Sequence, residues 1–231
     1  MFKDSLRALA PYILLTVVVV LAYGQLSFFV FPTKWDNLSA FFAYKYTAAS
    51  WWNSGHIPFW DPYQNLGYPM HANPQGYVWY PISWLSKWGG YTVYDLNLET
   101  VLHLLLATWG AYRVAFHHTS SKVSSLLGAL AYGLSGFAVG TSHMIGFTIG
   151  LAWLPWLYWC YVSFLKQPNL QTSINLVLVL YMQITGAYVA FSIILGYWLL
   201  AIFLYYLATK KLDNLRGIGI YGAVSLVLVL A

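Results

Sequence analysis

The sequence predicts an all-α, multi-pass membrane protein, and three observations carry that class. First, 60% of the residues are hydrophobic and 7% are charged, against roughly 25% charged in soluble domains. A chain this apolar cannot cover a water-facing surface. Second, stretches apolar enough to cross a bilayer, about 20 residues each, recur along the chain. Third, no charged residue occurs between Lys166 and Lys210, which leaves room for two crossings. The net charge of +5 comes from scattered basic residues. It reads as a topology signal and not as a nucleic-acid footprint. The single cysteine, Cys160, lies in an apolar run; it excludes an internal disulfide and reads as a packing residue.

The spans follow in order. The first covers residues 10–31. Its apolar run is too long for the core of a signal peptide, and no small-x-small cleavage site follows. The second covers 96–116, with Glu99 and His103 at one end and Arg113 at the other. The third, 123–141, carries Gly128, Gly133, Gly136 and Gly140, small residues that let helices approach closely. The fourth, 144–165, contains Pro155, which predicts a kink, and tryptophans expected at the lipid boundary. The fifth and sixth, 170–184 and 187–208, divide at "QITGAY" (residues 183–188). A seventh starts near 217. The chain ends on "GIGIYGAVSLVLVLA", apolar and uncapped. The expectation is therefore one transmembrane domain over 1–231 that forms the N-terminal part of a longer protein.

Orientation follows from the basic residues. With the N-terminus inside, Lys3, Arg7, Arg113, Lys122, Lys166, Lys210, Lys211 and Arg216 fall in short cytoplasmic segments, as the positive-inside rule requires. The remaining Lys34, Lys45 and Lys87 share one long external loop, 32–95. Asp36, Asp61, Asp95 and Glu99 then lie outside, with His56, His71 and His143. The polar chemistry gathers on one side.

That loop is too aromatic for disorder. Leu38, Phe41, Phe42, Ala49 and Trp52 recur at helical spacing, which predicts an amphipathic surface helix over 37–53. "HIPFWDPYQNLGYP" follows as a turn-rich segment in which each proline fixes its own φ and Gly67 allows a tight turn. A second short interfacial helix is expected over 81–88.

The candidate chemistry lies in and beside this loop. Asp36 stands just beyond the first span, where a partly buried carboxylate can take a proton from a hydroxyl. It also stands where a helix N-cap would. Asp61, before a proline, suits an Asx-turn as well as a site. His143, in the short turn after the third span, can reach the same face as Asp36 and offer a donor to phosphate. His56 and His71 flank the segment of Asp61 and could with it hold a metal, although no tight ligand spacing is present. Lys34, Lys45 and Lys87 are the external cations for an anionic group, or solvated lysines. Trp60 and Tyr63 can stack on sugar faces. His117 and His118 read as a polar inner loop. No Walker loop, GxGxxG turn or GxSxG elbow occurs.

"SGHIPFWDPYQNLGYPMHANPQGYVWYP" resembles the first external loop of the bacterial YfhO-like membrane proteins of the GT-C glycosyltransferase superfamily. The matching positions are Gly55, Ile57, Pro58, Trp60, Asp61, Pro62, Tyr63, Gly67 and Pro69, then Tyr80 and Pro81. "SHMIGFTIGLAWLPW" is similar to the family's histidine turn, and "YMQITGAYVAF" to a later one, with Ala187, Tyr188 and Val189 in place of its His-Pro-Gln. The resemblance implies a GT-C-like helical bundle of about seven spans in a bacterial cytoplasmic membrane. It implies transfer of a sugar from a polyprenyl-phosphate donor to a cell-envelope acceptor, with inversion and with Asp36 as general base. Lys45, His56, Trp60, Asp61, Tyr63, His71, Lys87 and His143 are the substrate-binding candidates. The residues specify no cofactor, and a divalent cation is an option. The partners are the lipid-linked sugar, a glycan or envelope acceptor and the bilayer, without nucleic acid. Two other readings stay open: a non-catalytic envelope assembly protein, and a transporter or flippase of a lipid-linked glycan.

Overall fold

A computed structural model describes residues 2–209, 211–212 and 214–230, with the side chains of 2–7, 86–88, 224 and 226–230 left aside. Every regular element among these residues is helical. Helix α1 (Phe2–Ala22) runs into a short α2 (Gly24–Ser27). A π-helical turn (Asn37–Phe41) continues as α3 (Phe42–Asn53). Two 3-10 segments, Met70–Ala72 and Pro81–Trp88, lead to α4 (Val93–Thr119). Then come α5 (Lys122–Gly133), α6 (Gly136–Gly140), α7 (Ile145–Lys166), α8 (Leu170–Gly186), α9 (Val189–Ala208) and α10 (Leu215–Leu230).

Three helical stretches are long and apolar enough to cross a membrane: Lys122–Gly140, Ile145–Lys166 and Val189–Ala208. Helix α4 is long enough but carries Asn97, Glu99, Thr100, His103 and Thr108. All five are buried inside the bundle, so its polarity faces protein and not the outer surface. Helix α4 is the central element, packed on α5 along one side and α7 along the other, with α8 against α7. Leu104, Ala107, Leu151 and Ala152 fill the core between α4 and α7. Helix α9 is nearly bare, as expected of a helix that faces lipid.

Several expectations change in detail. The first span breaks at Tyr23, and the chain turns away through Phe29 at φ 55°; Asn97 draws it toward α4 by binding the backbone of Phe31 and Thr33. The third span is interrupted after Gly133, where Ser135 caps α6 by accepting from the Ala138 amide. Of its four glycines, Gly133 alone is in close contact, facing the Thr108 side chain, whereas Gly136 and Gly140 face open space. Helix α7 runs through Pro155. Its tryptophans turn toward the protein: Trp153 donates to the Tyr80 hydroxyl and Trp156 to the Leu106 carbonyl, both at 2.9 Å. Cys160 is half-buried among packed apolar residues.

Candidate functional site

The loop is anchored first by a buried polar network. Thr92 and Asp95 form a capping box that starts α4, which places Glu99 one turn further in. Glu99 accepts from the Lys45 ammonium at 2.7 Å and from the Tyr91 hydroxyl at 3.0 Å. Lys45 also donates to Ser83 at 2.8 Å and lies 4.7 Å from the Tyr77 ring centroid. One turn below, the His103 Nδ1–H donates to the Glu99 carbonyl at 2.6 Å. That bond fixes the tautomer, so Nε2 accepts from the Tyr80 hydroxyl at 2.5 Å. Tyr80 in turn accepts from Trp153. Burial, with the Glu99 charge as a further cause, pushes the Tyr77 and Tyr91 hydroxyls well above the usual tyrosine range. Tyr80 is pushed up by burial as well. These phenols stay protonated and act as donors.

This network corrects two expectations. Lys45 is 2% exposed, so it is not a solvated cation. The buried face of the 37–53 helix consists of Asn37, Phe41, Lys45, Thr47, Ala48 and Ala49. Leu38, expected on that face, is exposed.

The second anchor is Asn37, fully buried. Its amide N–H donates to the His143 carbonyl at 3.0 Å. Its side chain donates to the Ser142 carbonyl at 3.0 Å and accepts from the Ile145 amide at 2.7 Å. One residue thus ties the end of the first span to the turn before α7. A groove of about 480 Å³ opens beside this tie, lined by Gln25, Leu26, Phe31, Pro32, Thr33, Lys34, Ser142 and His143. It brings together a cation, an imidazole and a carboxamide. Asp36 does not line it, but it directly precedes Asn37, whose backbone holds His143. The Asp36 backbone is helical and its side chain makes no cap bond, which removes the N-cap role. Among the described residues its exposed carboxylate has no hydrogen bond or ion pair.

The other candidates lie apart from this groove. Asp61 is 1% exposed and accepts from the Tyr63 amide at 2.9 Å. That is the Asx-turn geometry, closed by paired backbone bonds between Asp61 and Tyr68 at 2.8 Å. Gly67, at φ +117°, sits under the Trp60 indole, where a side chain would collide with the ring. His71 Nδ1 is 3.0 Å from the Phe59 carbonyl, and His56 packs edge-on against Trp51. Trp60 and Tyr63 are 51% and 84% exposed, free to meet a ligand face. Among the described residues no three His, Cys, Asp or Glu side chains gather as a metal site, so His56, His71 and Asp61 do not form one. The Lys87 side chain lies outside the described part.

Sequence reasoning placed Glu99, His103 and Tyr80 on the outer side but gave them no site role, and it missed Asn37 and Asn97. The "TVYD" capping box at Thr92–Asp95 was a visible signal; two lone asparagines were not. Comparison with family models, with curated proteins and with solved structures finds no match to this chain.

Proposed function

We propose that the chain is a YfhO-like membrane glycosyltransferase of the GT-C type. In this reading about seven helices cross a bacterial cytoplasmic membrane, the N-terminus is inside and the loop faces out. The observation that carries it is the exposed carboxylate of Asp36, without a partner among the described residues, two residues after Lys34 in a groove that also offers His143 and Gln25. A phosphate bridging lipid and sugar suits that donor set, because leaving-group charge must be met by a cation or hydrogen-bond donors. Asp36 takes the proton of the acceptor hydroxyl. The freed oxygen attacks the anomeric carbon opposite the phosphate. The carbon–oxygen bond to phosphate breaks, and polyprenyl phosphate leaves with the electron pair. The sugar emerges inverted on a cell-envelope acceptor.

Lys34 replaces Lys45 as the proposed cation, since Lys45 is already paired with Glu99. Trp60 and Tyr63 are retained as exposed stacking surfaces for the glycan. Asp36→Asn tests the assignment in membranes supplied with labelled lipid-linked sugar. Loss of a positioned base should slow transfer by roughly 10²- to 10⁴-fold, with insertion and folding unchanged. Transfer at the wild-type rate would overturn the base assignment and favour a non-catalytic envelope role.

A further inference from the structure

The end of the bundle opposite the loop holds a second polar groove, which the transferase reading does not use. It has a volume of about 400 Å³, and its lining includes Tyr12, Arg113, Phe116, His117, Ser120 and Trp159. The Arg113 guanidinium stacks 4.5 Å from the centroid of the Trp159 ring. The His117 ring meets the same indole edge-on at 4.9 Å. Lys166, at the end of α7, is close enough to act electrostatically on His117.

Among the described residues, two ordinary explanations for these cations fail for Arg113. A helix C-terminus attracts positive charge, but the effect fades beyond the last turn. Arg113 stands more than one turn before the end of α4 at Thr119. An ion pair is the other explanation. Asp95 and Glu99 are on the same helix at its far end, and Glu99 is about 21 Å away along the axis. Asp36 and Asp61 belong to the loop end, and the Asp4 side chain and Asp213 lie outside the described residues. Among the described residues the Arg113 guanidinium has no hydrogen bond or ion pair. It lies over an indole, and among the described residues its donors are unused.

We propose that this groove binds the phosphate ester of an anionic phospholipid headgroup, in the leaflet opposite the loop. Arg113 presents a planar fork that matches two phosphate oxygens. His117 and the Ser120 hydroxyl offer further donors, and Trp159 fixes the fork in place. A lipid fits better than a soluble phosphate, because the surroundings are greasy. Phe116 is 39% exposed, and Leu9 and Ile13, beside Tyr12 on α1, are 53% and 56% exposed. Tyrosine and tryptophan are the residues that favour this depth of a bilayer. The proposal rests on membrane insertion and is independent of sugar transfer.

Native mass spectrometry of the full chain, released from nanodiscs of mixed phosphatidylglycerol and phosphatidylcholine, tests it. The protein should retain phosphatidylglycerol in preference. One basic side chain near an anionic surface contributes about fivefold in affinity, so Arg113→Gln should lower retention by about that factor. Arg113→Lys should fall between, and Lys122→Gln, outside the groove, should change little. If Arg113→Gln proves unstable, His117→Gln is the second probe, and about a twofold loss is expected. Equal losses for Arg113→Gln and Lys122→Gln would mean general surface charge and overturn the site. Equal retention of the two lipids would also overturn it. Displacement of the lipid by inorganic phosphate at equal concentration would reassign the groove to a soluble ligand and overturn the lipid reading.

Discussion

The base of the loop and the mouth of α1 are built from the same residue types. Each region has an acid, a lysine and a histidine. At the base, Glu99, Lys45 and His103 are buried and bonded to one another or to their immediate neighbours. At the mouth, Asp36 and Lys34 are exposed and His143 half-buried, and the groove between Lys34 and His143 is open. The difference lies in which groups have partners. A lysine whose charge is met inside the protein holds structure together, and one that faces an open groove is available to a ligand. Residue type and position could not separate these cases, which is why the sequence reading puts Lys45, and not Lys34, among the substrate-binding candidates.

The sharpest way to break the comparison is to unpair the base. Lys45→Met strands the Glu99 carboxylate at 8% exposure. Removing one partner of a buried ion pair costs about 3–5 kcal/mol, whereas replacing both by apolar groups is often neutral. Thermal unfolding in detergent should therefore show a large loss for Lys45→Met. The double variant Lys45→Met with Glu99→Leu should recover most of it. If the single variant is as stable as wild type, the pair is not the anchor.

The tie between the two regions comes next. Asn37→Ala removes one donor and one acceptor and leaves the fully buried Ile145 with an unmatched amide. An unmade buried bond costs about 1–3 kcal/mol, so a loss of about 2–3 kcal/mol is expected. Transfer should fall as well, because the turn that carries His143 keeps only the Asn37 backbone bond and loses the side-chain bonds at Ser142 and Ile145. Full stability with unchanged transfer would mean that the turn before α7 is positioned by other contacts.

Helices were legible because apolar runs and charge placement are summed over many residues. The 37–53 and 81–88 segments were found for the same reason, and so was the break at "QITGAY", where Tyr188 donates to Gly146 between α8 and α9. Long-range pairing was not legible. Lys45 and Glu99 are far apart in sequence, as are Asn37 and Ile145, and nothing local marks either pair. Lys45 was misread because its neighbours Tyr44 and Tyr46 gave no hint that the side chain points into protein. Of the groove with Lys34 only His143 was legible as a site residue; Asp36 does not line it, and the contribution of Gln25 depends on the break after Tyr23.

The smallest expected effect concerns Asp61, and it sharpens the comparison of the acids. Asp36 and Asp61 both sit in the loop, but Asp61 spends its carboxylate on the Tyr63 amide. Among the described residues no cation pairs with it. Asparagine keeps the accepting oxygen and removes a buried charge, so Asp61→Asn should leave stability within about 0.5 kcal/mol. Asp61→Ala loses the bond and should cost about 1 kcal/mol. In the transfer assay Asp61→Asn should behave as wild type while Asp36→Asn fails. Matched losses from the two Asn variants would erase the distinction, because an acid needed only for its oxygen does not respond to removal of its charge.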